Sequence, residues 1–154
     1  MTEESSMDYA LLPAETLAYA AGLFDGEGCV MAFINKENHK NFLVKIGNTN
    51  RDVVYWMKEK FGGFVYEQEP GGVRKRIFLW RLNGRAAFDF AHAIYPYSII
   101  KKAQIEMGMY FYRLDRSNRA EHDLLTELLK REKRREDASI DPPKAKQIPT
   151  LEDL

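Results

Sequence analysis

A run of small residues near the start of the chain constrains its fold more than any other feature. Segment 14–28 has the apolar spacing of a helix, with Pro13 in front of it and glycines at its end. Ala18, Gly22 and Gly26 recur every four residues and therefore share one face of this helix. Glycine inside a helix costs about 1 kcal/mol relative to alanine. The bare face therefore predicts close contact with another backbone, either a second helix or the protein's own sheet.

The apolar pattern after this helix predicts alternating hairpins and helices. No internal repeat is present, and 154 residues suffice for one domain. We predict a loose polar arm over 1–13, one domain over 14–137 and a disordered tail over 138–154. The predicted order is helix, hairpin, helix, hairpin, helix, helix, and then a leucine-striped helix. The segments after the first helix are 29–35, 42–46, 51–61, 64–68, 74–82, 85–93, 99–114 and 119–137.

Several classes of protein are excluded by composition. Apolar runs are only a few residues long and the start Met-Thr-Glu-Glu lacks a basic region, so we expect neither a membrane span nor secretion. The single cysteine, Cys29, excludes an internal disulfide, and the three histidines have no zinc-ligand spacing. We therefore expect an intracellular protein in a reducing compartment.

The zero net charge hides an uneven distribution of charged residues. Residues 1–27 hold six acids and no base, whereas residues 28–113 hold 14 Lys or Arg against seven Asp or Glu. A nucleic acid responds to the local field at its contact surface and not to the average charge. The basic middle is compatible with such a surface, but also with ordinary solvated side chains.

Two carboxylates crowd the end of the first predicted helix, where the helix dipole is already negative. Asp25 and Glu27 are disfavoured there unless a cation neutralises them. Mg²⁺ is often bound by one or two carboxylates together with phosphate oxygens and water. The residues alone leave open whether this is a cation site or a pair of solvated acids.

Residues 20–28, AAGLFDGEG, resemble the signature of the LAGLIDADG homing endonucleases. The resemblance implies an α+β fold with an αββαββα core, a four-stranded antiparallel saddle sheet and additional C-terminal helices. It makes Glu27 the metal-binding acid, with the carbonyl of Gly26 beside it, and Asp25 a helix-capping acid. Glu27 stands where the family more often has aspartate, which keeps the charge and changes the reach.

The resemblance also implies a site-specific double-strand endonuclease. Chains with one motif act as homodimers on long pseudo-palindromic DNA, here through Ala18, Ala21, Gly22 and Asp25. The implied cofactor is Mg²⁺, with Mn²⁺ as a substitute and Ca²⁺ supporting binding only, and no small-molecule substrate is expected. Whether an intron, an intein or a free-standing gene encodes the chain is left open.

Further catalytic roles come from the same resemblance. The stretch 96–104 matches the one that carries a basic residue toward the active-site water, which assigns Lys101, or Lys102 if the alignment slips by one. Asn48 lies where the family often has glutamine, and Arg51 lies near a water-organising basic residue. The predicted catalytic residues are therefore Glu27, Lys101, Asn48 and Arg51.

The two hairpins are expected to enter the major groove, where every base pair can be distinguished. Alternation along the strands predicts a set of DNA-facing residues. These residues are Asn35, Glu37, Asn41, Lys45, Tyr66, Gln68, Arg74 and Arg76. Lys75, Arg81 and Arg85 are candidate phosphate clamps, which position a protein without specifying sequence.

Two other functions compete with this interpretation. One is a relative that binds DNA or RNA without cutting it, such as an intron maturase or a transcription regulator. The other is an interaction protein that binds a partner through its leucine-striped C-terminal helix. The acid at Glu27 and the base at Lys101 favour the nuclease, because a pure binder needs no cation site.

Overall fold

The computed structural model describes residues 8–69 and 75–139. The helices and strands follow the predicted α+β order, with an αββαββα core and two more helices after it. They are α1 Ala14–Glu27, β1 Gly28–Ile34, β2 Lys40–Asn48, α2 Arg51–Phe61, β3 Phe64–Gln68, β4 Ile77–Asn83, α3 Gly84–Ile94, α4 Lys102–Arg113 and α5 Arg119–Ser139. Short 3-10 turns occupy Tyr9–Leu11 and Tyr95–Tyr97.

The four strands form one antiparallel sheet in the order β1-β2-β4-β3. Alternate residues of the strands point to opposite faces. One face lies under the helices, and its centre is Trp80, whose ring packs edge-on against Phe61 and Phe90. The buried residues of that face are Val30, Ala32, Phe42, Val44, Ile46, Phe78, Trp80 and Leu82.

The opposite face carries no fully buried residue and no helix packs on it among the described residues; we call it the open face. Its residues follow from the strand register. They are Cys29, Met31, Phe33, Asn41, Leu43, Lys45, Gly47, Phe64, Tyr66, Gln68, Ile77, Leu79, Arg81 and Asn83.

The last two helices close the helical side of the domain over β1 and β2. α4 lies so near the sheet that a Cβ on Gly108 would be 2.6 Å from the Phe42 ring and 2.9 Å from Val30. In α5, the Thr126 hydroxyl donates to the carbonyl of Ala32 at 2.9 Å. The leucine stripe therefore packs on its own domain at Leu129, which is 2% exposed.

The structure corrects the predicted ends of the chain. The arm predicted over 1–13 is anchored where it is described, because Tyr9 is buried and its hydroxyl donates to the Phe61 carbonyl at 2.6 Å. α5 ends at Ser139, two residues past the predicted boundary, and β4 begins at Ile77 and not at 74. Residues 70–74, between the two strands of the second predicted hairpin, and the rest of the arm and tail lie outside the described residues. No helix in the described ranges is long and apolar enough for a membrane span.

Candidate functional site

The carboxylate of Asp25, in the last turn of α1, binds the segment that leads into α4. Ser98 donates its hydroxyl to Oδ1 at 2.6 Å, the Ile99 amide donates to Oδ2 at 2.8 Å and the Lys101 amide to Oδ1 at 3.0 Å. Burial raises the pKa of the Asp25 carboxyl, but these hydrogen bonds and one from the Ile100 amide outweigh burial and lower the pKa below its ordinary value. Asp25 thus fixes α1 to the start of α4 as a capping acid.

We expect Asp25→Asn to lower the free energy of unfolding by about 2 kcal/mol at pH 7, because an uncharged amide would face the Ile99 amide donor. A carboxyl whose pKa falls on folding stabilises the fold above its unfolded pKa, about 3.9, and loses that effect as pH falls through the lower folded value. The difference from wild type should therefore hold from pH 7 to about pH 5 and shrink below about pH 4.

Urea unfolding across this pH range measures both effects. Glu59→Gln is the matched control, because it makes the same chemical change at an exposed position of α2. A loss of less than about 0.5 kcal/mol for Asp25→Asn at pH 7 would contradict the capping role.

Glu27 is the exposed last residue of α1, and it makes no ion pair or hydrogen bond with the described residues. The next residue, Gly28, pairs with Ile46, so the end of β2 and Asn48 lie beside this helix terminus. Lys101 is buried, and its amide is bound to Asp25, two residues before Glu27. The structure therefore brings Glu27, Asn48 and Lys101 toward the same end of α1. In residues 8–69 and 75–139, no three His, Cys, Asp or Glu residues cluster as metal ligands.

The other predicted catalytic side chains have local roles. Asn48 accepts the Asn50 amide at 2.7 Å, and Asn50 caps α2 by accepting the Val53 amide at 3.0 Å. Arg51, the exposed first residue of α2, has its guanidinium 4.2 Å from the Tyr55 ring centroid. These contacts fix the turn between β2 and α2.

Lys102, the alternative to Lys101, is exposed. Its ammonium lies 5.3 Å from the Tyr95 ring centroid, whereas Lys101 is buried beside the segment bound by Asp25. Of the two lysines, Lys101 is the one tied to the end of α1.

The bare face of α1 is exposed to solvent. Ala18, Gly22 and Gly26 lie on it, and a Cβ built on Gly22 or Gly26 would meet nothing within 4 Å. Two residues predicted to share it do not. Ala21 is 0% exposed and packs in its own core, and the Asp25 carboxylate is bound within its own chain.

An exposed apolar patch follows α3, close to the end of α1. Ile99 is 83% exposed and Ile100 is 56% exposed, although the Ile99 amide is bound to Asp25. Tyr97, in the preceding turn, is also exposed. The sequence does not predict this patch, because residues 99 and 100 fall within the helix predicted over 99–114, whereas α4 begins at Lys102.

Four of the predicted DNA-facing residues lie on the open face: Asn41, Lys45, Tyr66 and Gln68. Lys45 stands directly opposite Arg81 on the neighbouring strand. The described open face contains no carboxylate, so nothing on it neutralises these two cations. Like charges directly opposite one another in a sheet are destabilising. An anionic ligand on this face would relieve the repulsion between Lys45 and Arg81.

The remaining predicted DNA-facing residues lie elsewhere. Asn35 holds the loop after β1 by accepting the amides of Glu37 at 3.0 Å and His39 at 2.8 Å, and Glu37 is exposed in that loop. Arg76 precedes β4 and is paired with Glu67 at 3.2 Å and Glu69 at 2.9 Å. Glu67 pairs with the buried Phe78, so this ion pair lies toward the helix-covered face. A contact of Arg76 with DNA stays a prediction. Arg74 lies outside the described residues.

The candidate phosphate clamps also differ in whether they lie on the open face. Arg85 belongs to α3 and pairs with Asp89 at 2.9 Å on the helical side. Lys75 is exposed beside the undescribed turn. Arg81 lies on the open face, and outward alternation from the buried Phe78, Trp80 and Leu82 would have identified it together with Leu79 and Ile77.

No protein-family model and no curated protein matches the chain. Solved structures do. The homing endonuclease I-CvuI in complex with its target is 18% identical, with a TM-score of 0.66 over 77% of this chain and 82% of that one. An archaeal intron-encoded homing endonuclease complexed with DNA, I-Vdi141I, is 18% identical, with a TM-score of 0.60 over 77% and 84%. The homing endonuclease I-TnaI is 17% identical, with a TM-score of 0.60 over 77% and 93%. This chain therefore has the homing-endonuclease fold that its motif at residues 20–28 predicts.

Proposed function

We propose that the chain is a site-specific DNA endonuclease that acts as a homodimer on a pseudo-palindromic target. The observation that carries this proposal is the position of Glu27. It is an exposed carboxylate at the end of a helix whose outer face is bare, in a chain with the fold of DNA-bound homing endonucleases. One such carboxylate per chain suits a centre that two chains share.

The open face is the proposed DNA surface. Four antiparallel strands spaced by about 4.8 Å span about 14 Å, which is close to the width of about 12 Å of the major groove. The face offers cations at Lys45 and Arg81 and polar groups at Asn41 and Gln68, without an acid among its described residues. A surface of this kind complements phosphates and base edges.

The bare face of α1 is the proposed dimer contact. Glycine costs stability inside a helix, and four other glycines have a steric reason for being glycine. A Cβ on Gly28, Gly47, Gly63 or Gly108 would lie less than 3.0 Å from a neighbouring side chain. Gly22 and Gly26 have no such constraint, which supports a contact outside the protomer.

The exposed Ile99 and Ile100 extend this contact surface. Both lie beside the end of α1, because Asp25 binds the segment that contains them. Contiguous exposed apolar surface commonly marks a site of association. A second copy of the chain would cover these side chains together with the bare face.

The residues at this end of α1 fit magnesium. Glu27 is exposed, and the Gly26 carbonyl belongs to the last turn, whose carbonyls have no partner within the helix. Asp25 is occupied by its own hydrogen bonds. Mg²⁺ needs only one or two carboxylates when phosphates and water complete its ligands, so Glu27 and Gly26 of two chains would hold it at the DNA.

The proposed reaction is hydrolysis of a phosphodiester bond on each strand. When bound, Mg²⁺ supplies Lewis acidity at the phosphate and makes water a stronger nucleophile. The water oxygen forms a bond to phosphorus, the bond to the 3′ oxygen breaks, and the products are a 5′-phosphate and a 3′-hydroxyl. Lys101, whose backbone is fixed by Asp25, stabilises negative charge near the phosphate. Asn48 and Arg51 order water at the end of β2, and no side-chain nucleophile is needed.

Selection of cleaved sites tests this function. The purified chain is incubated with a library of randomised palindromic duplexes in Mg²⁺, and a parallel sample in Ca²⁺ is used to recover bound but uncut sites. We expect one family of sites in both samples, cut only with Mg²⁺. Enrichment in Ca²⁺ without any cutting in Mg²⁺ or Mn²⁺ would favour the non-cleaving alternative.

We expect a steep salt dependence of DNA affinity. A protein that makes 6 to 10 phosphate contacts loses about 10³- to 10⁵-fold in affinity between about 50 and 200 mM salt. Fluorescence anisotropy with a selected duplex in Ca²⁺ measures the slope, and a scrambled duplex gives the non-specific value. Affinity that does not change with salt would contradict a phosphate-contacting surface and favour the protein-interaction alternative.

A further inference from the structure

One row of side chains crosses all four strands of the open face near the end of α1. Cys29 pairs with Lys45, Lys45 with Arg81, and Arg81 with Phe64. Lys45 and Arg81 occupy the two central strands, and Cys29 is two residues from Glu27. The centre of this face at the end nearest Glu27 is therefore cationic.

The guanidinium of Arg81 lies over two aromatic rings and makes no ion pair with an acid among residues 8–69 and 75–139. Its central carbon lies 5.9 Å from the ring centroid of Phe64 and 5.9 Å from that of Tyr66. Its Nε is buried and makes no hydrogen bond among the described residues. A buried donor without a partner is unfavourable, so this arrangement favours a ligand that offers acceptors to the guanidinium.

The neighbouring rows of the described sheet hold no carboxylate. Met31, Leu43 and Asn83 lie on one side, and Gly47, Leu79 and Tyr66 lie on the other. Asn83 and Tyr66 carry acceptor oxygens, but neither accepts a hydrogen bond from the buried Nε of Arg81. Lys45, directly opposite, is a cation and has no acceptor. The hydrogen-bonding capacity of Arg81 is thus left for a molecule that lies on the open face.

If the open face lies in the major groove, the central strands lie over the base edges and the outer strands lie nearer the phosphate backbones. Guanine presents two adjacent acceptors there, O6 and N7, which match the two-pronged donor geometry of arginine. Cation–π contacts with the Phe64 and Tyr66 rings restrict the Arg81 side chain and favour one geometry over a mobile phosphate contact.

We propose that Arg81 reads a guanine in the inner part of each half-site, held for that contact by Phe64 and Tyr66, an assignment that rests on the proposed DNA-binding function. The guanine is inner because Cys29, in the same row, follows Glu27 by two residues. Arg81 is thereby a specificity-determining residue and not a phosphate clamp.

Site selection with Arg81→Gln tests the assignment. The wild type should select guanine at one inner position of each half-site, with a preference of about 5- to 150-fold over other bases, and the variant should select adenine there, because glutamine pairs with adenine N6 and N7. Arg76→Gln is the matched control, since Arg76 is paired with Glu67 and Glu69 off the open face, and it should leave the selected site unchanged. Selection of the same inner guanine by Arg81→Gln would overturn the proposal.

Replacing the selected guanine with 7-deazaguanine gives a second readout that does not depend on folding of a variant. This base keeps Watson–Crick pairing and lacks N7, so wild-type affinity should fall about 5-fold or more. Arg81→Ala, which has no donor for N7, should lose most of that sensitivity. No loss in the wild type would overturn the proposal even where a guanine is selected. Failure of the wild type to select any site would instead overturn the DNA-binding function on which it rests.

Discussion

Glu27→Gln should abolish DNA cleavage and leave target affinity in Ca²⁺ nearly unchanged. The amide has the size of the carboxylate but no charge, so it is a poor ligand for Mg²⁺, and loss of several kcal/mol of charge stabilisation corresponds to about 10³-fold or more in rate. Because Glu27 is exposed at the end of α1, the fold should not change. Without a divalent ion the variant should bind DNA more tightly than the wild type, since two carboxylates no longer face phosphates.

Single-turnover cleavage of the selected duplex in Mg²⁺ measures the rate, and anisotropy with and without Ca²⁺ measures affinity. Glu15→Gln is the matched control, because it makes the same change at an exposed position in the first turn of the same helix, and it should cut normally. Cleavage by Glu27→Gln at the wild-type rate would remove Glu27 from the reaction. Equal loss of binding and cleavage would show that Glu27 serves the fold.

Much of the fold could be predicted because local signals and burial agree. Gly62 follows α2, and the period of apolar residues changes where each hairpin begins, so α1, α2 and β3 have the predicted bounds or differ by one residue. The prediction failed where a long-range contact outweighed the local composition of the sequence. Tyr9 looks like part of a polar arm from its neighbours, yet its ring is buried and its hydroxyl reaches the Phe61 carbonyl.

The orientation of side chains on the sheet was harder to predict, because both faces of β4 are apolar. Phe78 and Leu79 are equally plausible as core residues by hydropathy, and only the pairing of β2 with β4 assigns Phe78 to the core and Leu79 to the open face. The predicted DNA-facing residue Arg76 has the same alternation as the buried Phe78 and Trp80, and it is paired with Glu67. A one-residue change of register moves every side chain to the other face.

At the site, the sequence predicts which residues carry chemically useful groups more readily than it predicts which residues they contact. The motif identified Asp25 and Glu27 together, but their roles separate only in three dimensions. Asp25 accepts hydrogen bonds from Ser98 and from the backbone amides of residues 99–101, more than 70 residues away, and Glu27 is left exposed. No local sequence pattern encodes such a long-range contact. The exposure of Ile99, which results from this contact, could not be predicted from the sequence for the same reason.

Gly22→Leu should convert the protein into a monomer and abolish double-strand cleavage. A leucine side chain on the bare face would hold two α1 helices apart, and each monomer would then carry a single Glu27. Within one chain the change is tolerated, because a Cβ at Gly22 meets nothing within 4 Å. Sedimentation velocity measures the oligomeric state, and conversion of supercoiled plasmid to linear DNA measures double-strand cleavage.

Gly22→Ala distinguishes the stability of the folded chain from the stability of the dimer. We expect it to stabilise the folded chain and to destabilise the dimer. Alanine favours a helix over glycine by about 1 kcal/mol, so unfolding of the monomer measured at low protein concentration should require more urea. The same methyl group lies in the proposed contact between helices and should weaken association. Ala120→Leu introduces the same side chain at an exposed position of α5 and should leave the dimer intact. A Gly22→Leu protein that remains dimeric would show that the bare face of α1 is not the contact, and Ile99→Asp would then determine whether the apolar patch alone holds the two chains together.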